Sequence, residues 1–120
     1  MSKISKHFKR EEFACKCGKC GQDTVDVVLI EILESVREHF GVSVRLTNAN
    51  RCAKHNAEVG GATNSQHLKG RAADIQVEGI NPDEVADWLD DMYPNQYGIG
   101  RYKTFTHIDS RDRSARWDKR

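Results

Sequence analysis

The chain has 120 residues, 38% of them hydrophobic and 31% charged, with 19 basic against 18 acidic side chains and a net charge of +1. At that length one modest core is expected, burying roughly two thirds of the unfolded chain's surface. The balance of charge excludes a global pull toward nucleic acid or membrane surfaces, and no stretch approaches the ~18 apolar residues of a membrane span.

The N-terminal "MSKISKHFKREEF" lacks the apolar segment of a secretory signal. The chain is therefore expected to be made in the cytoplasm and to act outside only after some other agent releases it. Cys15, Cys17 and Cys20 follow in "CKCGKCG", with Cys52 further on. In a reducing compartment, the four are read either as a second, structural zinc or thiol cluster or as reduced, partly paired thiols.

From Asp26 to Phe40 the apolar positions Leu29, Ile32, Leu33, Val36 and Phe40 fall at helical spacing, with Thr24 or Asp26 as N-cap and Gly41 closing the end. His39, in the last turn, reads as a helix-end cation, while His7 and His55 carry no pattern that argues for chemistry. "VSVRLT", Val42 to Thr47, alternates apolar and polar residues as a half-buried strand does. A short helix is expected over Ala53 to Val59, stopped by Gly60 and Gly61, and a turn at Gly70 leads into the strand "AADIQV". "NPDEVADWLDDM" starts with an Asn81 cap and Pro82 at the first helical position, its buried stripe being Val85, Leu89 and Met92 beside Trp88. Two more strands are expected near Tyr97 to Arg101 and Thr104 to Asp109. The order predicts an α+β fold, a small, mostly antiparallel sheet packed with helices, in a single domain over residues 1–120. Asp83, Glu84, Asp87, Asp90 and Asp91 read as a solvated helix face. Arg111, Arg113, Arg116, Lys119 and Arg120 read as part of a polar tail from about residue 110.

A hydrolytic zinc uses three protein ligands, nitrogen or carboxylate oxygen, and keeps a fourth position open. His67 in a loop, Asp74 on the following strand and His107 on the last strand can supply that set, although five histidines and 18 carboxylates also produce such spacings by accident. Gly70 would permit a sharp turn between ligands, and Ala72 and Ala73 would keep bulk away from an ion.

The motif "SQHLKGRAADI", Ser65 to Ile75, resembles the Ser-x-His-x-x-Gly-x-Ala-x-Asp signature of the zinc D-Ala-D-Ala carboxypeptidases and L-alanyl-D-glutamate peptidases, a group whose fold is shared with the hedgehog signalling domain. "HFKREEFAC", "NRCAKHNAEVGGATNSQH" and "YGIGRYKTFTHIDSR" are similar to short phage-type and bacterial members, in the same order. The resemblance implies a zinc metallopeptidase with His67, Asp74 and His107 as ligands and Arg51 on a substrate carboxylate or carbonyl oxygen. Ser65 falls at the signature serine, either touching substrate or shaping the turn. The implied substrate is a peptidoglycan stem peptide, cut at D-Ala-D-Ala or at an L-Ala/D-Glu bond. A phage or prophage lysis or virion enzyme is the expected setting, released by a holin or carried on the particle. The chain is expected as a monomer, without nucleic-acid partners.

Two departures bear on mechanism. Many relatives carry an acidic base three residues before the last histidine, where this chain has Thr104. Asp109, two residues along the strand from His107 and so on the same face, is the candidate base, or alternatively orients a ligand histidine. "TNANRC" stands where relatives read Ser-Gly-Tyr-Arg, so Asn48 and Asn50 alter the substrate rim beside Arg51. Thr104 also keeps open a non-catalytic reading, a zinc-binding cell-wall-binding or virion protein of the same fold.

Overall fold

The computed structural model describes residues 4–13, 26–49 and 71–120. His67, Arg51, Ser65, Asn50, Gly70, the four cysteines and the short helix expected over 53–59 lie outside the described residues. The described elements are a short 3-10 turn at Arg10–Phe13, helix α1 (Val27–Phe40), strand β1 (Val44–Asn48), strand β2 (Ala72–Val77), helix α2 (Pro82–Met92), and strands β3 (Gly98–Arg101), β4 (Thr106–Asp109) and β5 (Ala115–Asp118).

Both helices start and stop where local chemistry requires. Asp26 caps α1 by accepting from the Leu29 amide, and Gly41 ends it in the left-handed conformation with φ 68°, its amide donating to the Arg37 carbonyl. Asn81 accepts from the Asp83 amide and Pro82 opens α2. Along α2 the buried residues are Val85, Ala86 and Leu89. Met92 is 52% exposed, which corrects the expected stripe. Tyr93, half-buried against Tyr97 with ring centroids 5.1 Å apart, fills the place one turn beyond Leu89 instead.

The five strands form one mixed sheet in the order β1-β2-β4-β3-β5. β1/β2, β2/β4 and β4/β3 pair antiparallel, and β5 adds in parallel beside β3. β5 runs through the segment expected as a polar tail, and ion pairs explain its seat. Arg116 meets Asp90 at 2.8 Å and Arg120 meets Asp83 at 3.0 Å, so the acidic side of α2 is a partner for the basic C-terminus rather than a purely solvated face. Arg116 also donates to the carbonyls of Tyr93, Gln96, Tyr97 and Ala115.

Because side chains alternate across a strand, the sheet has two different faces. Val44, Leu46, Ala73, Ile75, Val77, Ile99 and Ile108 join Leu29, Ile32, Leu33 and Val36 of α1, Val85, Ala86 and Leu89 of α2, and Phe8 and Phe13 in one buried cluster. His39 extends this side by stacking on Trp88, with centroids 4.5 Å apart, and so links the two helices as well as standing at a helix end. The opposite face carries Ala72, Asp74 and Gln76 of β2, His107 and Asp109 of β4, Gly98 and Gly100 of β3, and Ala115 and Trp117 of β5. Among the described residues no helix covers it.

Candidate metal and catalytic site

The site grows from the register of β2 and β4. Asp74 stands directly across from His107, and Ala72 across from Asp109, so three functional side chains share one small patch of the second face. Asp74 and His107 are each 7% exposed, and Asp109 is 0% exposed. The imidazole lies between the carboxylates: Nδ1 is 2.9 Å from Asp74 Oδ1 and Nε2 is 2.7 Å from Asp109 Oδ2. Arg111 closes the far side. Its Nε and one terminal nitrogen donate to the two Asp109 oxygens at 2.8 and 2.7 Å, and its amide adds a third bond at 3.2 Å.

Electrostatics follow from this geometry. Burial alone disfavours charge on His107, but hydrogen bonds and charges from Asp109 and Asp74 outweigh it and raise the imidazole above its ordinary value. Burial likewise opposes ionisation of Asp109, yet His107 and the Arg111 guanidinium hold its carboxyl well below the ordinary carboxylate range. Two carboxylates flank one ring, so the site favours positive charge there.

Neighbouring residues make room. A Cβ at Gly98 would stand 2.4 Å from an Asp109 oxygen, so glycine is needed for that carboxylate to lie against β3. A register shift between Leu46 and Asn48 sets Asn48 opposite Asp74. Among the described residues the buried Asn48 Oδ1 finds no donor, leaving an acceptor beside Asp74. Thr104 lies in the β3–β4 turn, its carbonyl accepting from Gln76 at 2.8 Å.

Of the residues expected at the site, Asp74, His107 and Asp109 are brought together. Sequence reasoning missed Gly98, Arg111 and Trp117. The repeated glycine in "GIGR", at the period of one strand face, was the available signal for the first; the basic run concealed the other two.

Asp74 and His107 fit a zinc centre chemically, offering one carboxylate oxygen and one imidazole nitrogen at a buried patch that already favours positive charge. The second nitrogen is held by a carboxylate, the arrangement that fixes tautomer and direction in metal-bound imidazoles. Among the described residues no set of three His, Cys, Asp or Glu side chains is arranged to hold an ion. His67, the remaining expected ligand, lies outside the described residues.

His107 and Asp74 thus form a buried pair on adjacent strands, with a second carboxylate on the other ring nitrogen. The family model described as Peptidase M15 matches residues 6–109, and the chain belongs to that family. Its members are peptidases, generally zinc-dependent. No curated protein gave a match. Among the described residues no helix is long and apolar enough to cross a membrane.

Proposed function

We propose that this protein is a zinc-dependent peptidase that hydrolyses peptidoglycan stem peptides, as a D-Ala-D-Ala carboxypeptidase or an L-Ala/D-Glu endopeptidase of phage or prophage type. The observation that carries the reading is the buried cross-strand pair of Asp74 and His107, 2.9 Å apart, within the family-matched stretch. His67, Asp74 and His107 are the proposed ligands. Zinc, when bound, would supply Lewis acidity and lower the pKa of its water toward about 7, allowing hydrolysis at neutral pH.

The chain's own residues do the rest. His107 presents Nδ1 toward Asp74 because Asp109 holds Nε2. Asp109 is itself held by Arg111, so its carboxylate stays ionised and directed at the imidazole. Those bonds and its complete burial favour the orienting role over the base role that its spacing suggested. A carboxylate tied to a guanidinium and held far below neutrality is a poor proton acceptor. Arg51 is the proposed anchor for a substrate carboxylate or carbonyl oxygen, and Ser65, at the signature position, either touches substrate or shapes the turn.

Incubating the zinc-loaded protein with defined muropeptides and weighing the products tests the reading. Loss of one D-alanine, or scission between L-Ala and D-Glu, is expected from wild type and not from His67→Ala. Zinc binding without cleavage of either bond would instead favour the non-catalytic wall-binding reading.

A further inference from the structure

Strand β5 lies beyond residue 109, where the family match ends, yet it reaches the site. Trp117 on β5 is in register with Gly100 on β3, which in turn faces His107 on β4. A Cβ at Gly100 would stand 2.4 Å from Trp117 Nε1, so the glycine is what lets the indole lie across the neighbouring strand. The indole reaches His107, with ring centroids 4.9 Å apart and planes at 50°. Two contacts fix it there: Nε1–H donates to the Tyr102 hydroxyl at 2.9 Å, and the Arg111 guanidinium carbon lies 5.1 Å from the ring centroid. The same guanidinium grips Asp109.

We propose that Trp117 is a positioning residue for His107, and that β5 completes the site of this chain. The inference rests on the zinc-peptidase reading and adds a residue to it. Hydrogen bonds to Asp74 and Asp109 fix where the two imidazole nitrogens aim within the ring plane. They resist tilting out of that plane only weakly, because hydrogen-bond directionality is broad. The indole blocks the tilt by van der Waals contact with the ring. Arg111 couples the two restraints, since one guanidinium touches both the indole and the carboxylate. A ligand ring held this way keeps its lone pair directed at the ion through each turnover.

Zinc release from the loaded protein into a chromophoric chelator, measured beside muropeptide cleavage, tests the role. Trp117→Ala is expected to release zinc about tenfold faster and to lower kcat with little change in KM. Trp117→Phe restores most of both, since it keeps an aromatic face without the Tyr102 bond. Gly100→Ala reproduces the loss by displacing the indole, and carries the test should Trp117→Ala fail to fold. Glu34→Gln is the control: it weakens the bonds from Ser5 and His7 to α1, away from β5, so it lowers the melting temperature while leaving zinc release near wild type. Wild-type release in both Trp117→Ala and Gly100→Ala, or equal acceleration in Glu34→Gln, overturns the inference and leaves Trp117 as a strand anchor. A wild type that neither holds zinc nor cleaves muropeptides removes the peptidase reading beneath it.

Discussion

The two faces of the sheet are made by the same strands and follow opposite rules. On the helix side, Ile75 and Ile108 meet Leu33 and Leu89 in a core where nothing but shape and apolarity matters. On the other side, residues one position away are Asp74, His107 and Asp109, buried almost as deeply but held by charge. The contrast teaches that burial by itself does not distinguish core from chemistry here. What distinguishes them is whether each buried group is satisfied by contact or by a directed polar bond.

That comparison can be broken most forcefully from the apolar side. Leu33→Ala, at a fully buried position of α1, is expected to cost about 2–5 kcal/mol in denaturant unfolding while leaving kcat near wild type wherever the protein remains folded. A large fall in kcat without a fall in stability would mean the faces are not separable. From the polar side, Asp109→Asn keeps the shape and removes the charge that steers His107. Zinc affinity by competition titration is expected to fall by about 10- to 100-fold, with cleavage falling alongside. Abolished cleavage with unchanged zinc affinity would return Asp109 to the role of base.

A smaller effect sharpens the contrast by showing a polar cluster that serves the fold alone. Glu34 on α1 accepts from the Ser5 hydroxyl at 2.5 Å and the His7 amide at 2.7 Å, with His7 Nδ1 at 2.5 Å. Burial opposes its ionisation, but the hydrogen bonds from Ser5 and His7 outweigh this and hold it below its ordinary value of 4.5. A carboxyl whose folded pKa is depressed stabilises the fold fully above the unfolded value, and that contribution is lost as pH falls through the folded one. Glu34→Gln should therefore cost about 1 kcal/mol near pH 7 and flatten the loss of stability below about pH 4.5, with zinc binding unchanged. An acid limb as steep as wild type would show that other groups set it.

Much of this was legible because it rests on local rules. Asp26 and Gly41 around an amphipathic run, Asn81 before Pro82, and the continuous "AADIQV" specify their elements whatever surrounds them. The His107 and Asp109 spacing gave a shared strand face by period alone. β5 was hidden because its residues alternate half-buried with exposed and include two charges, which reads as tail until α2 supplies Asp90 and Asp83 as partners. Arg111 and Trp117 were hidden for the same reason. Their meaning lies in contacts with Asp109, Gly100 and Tyr102 that no local pattern encodes. The proposed orienting role of Asp109 rests on its burial and its guanidinium partner, and neither follows from spacing.

Anomalous diffraction at the zinc edge, from crystals of the zinc-loaded protein, tests the central claim most directly. The account predicts a single strong peak within coordination distance of Asp74 Oδ1 and His107 Nδ1, on the face of the sheet away from α1 and α2, and its loss in His107→Ala. A peak held elsewhere in the chain, with none beside Asp74 and His107, would contradict it.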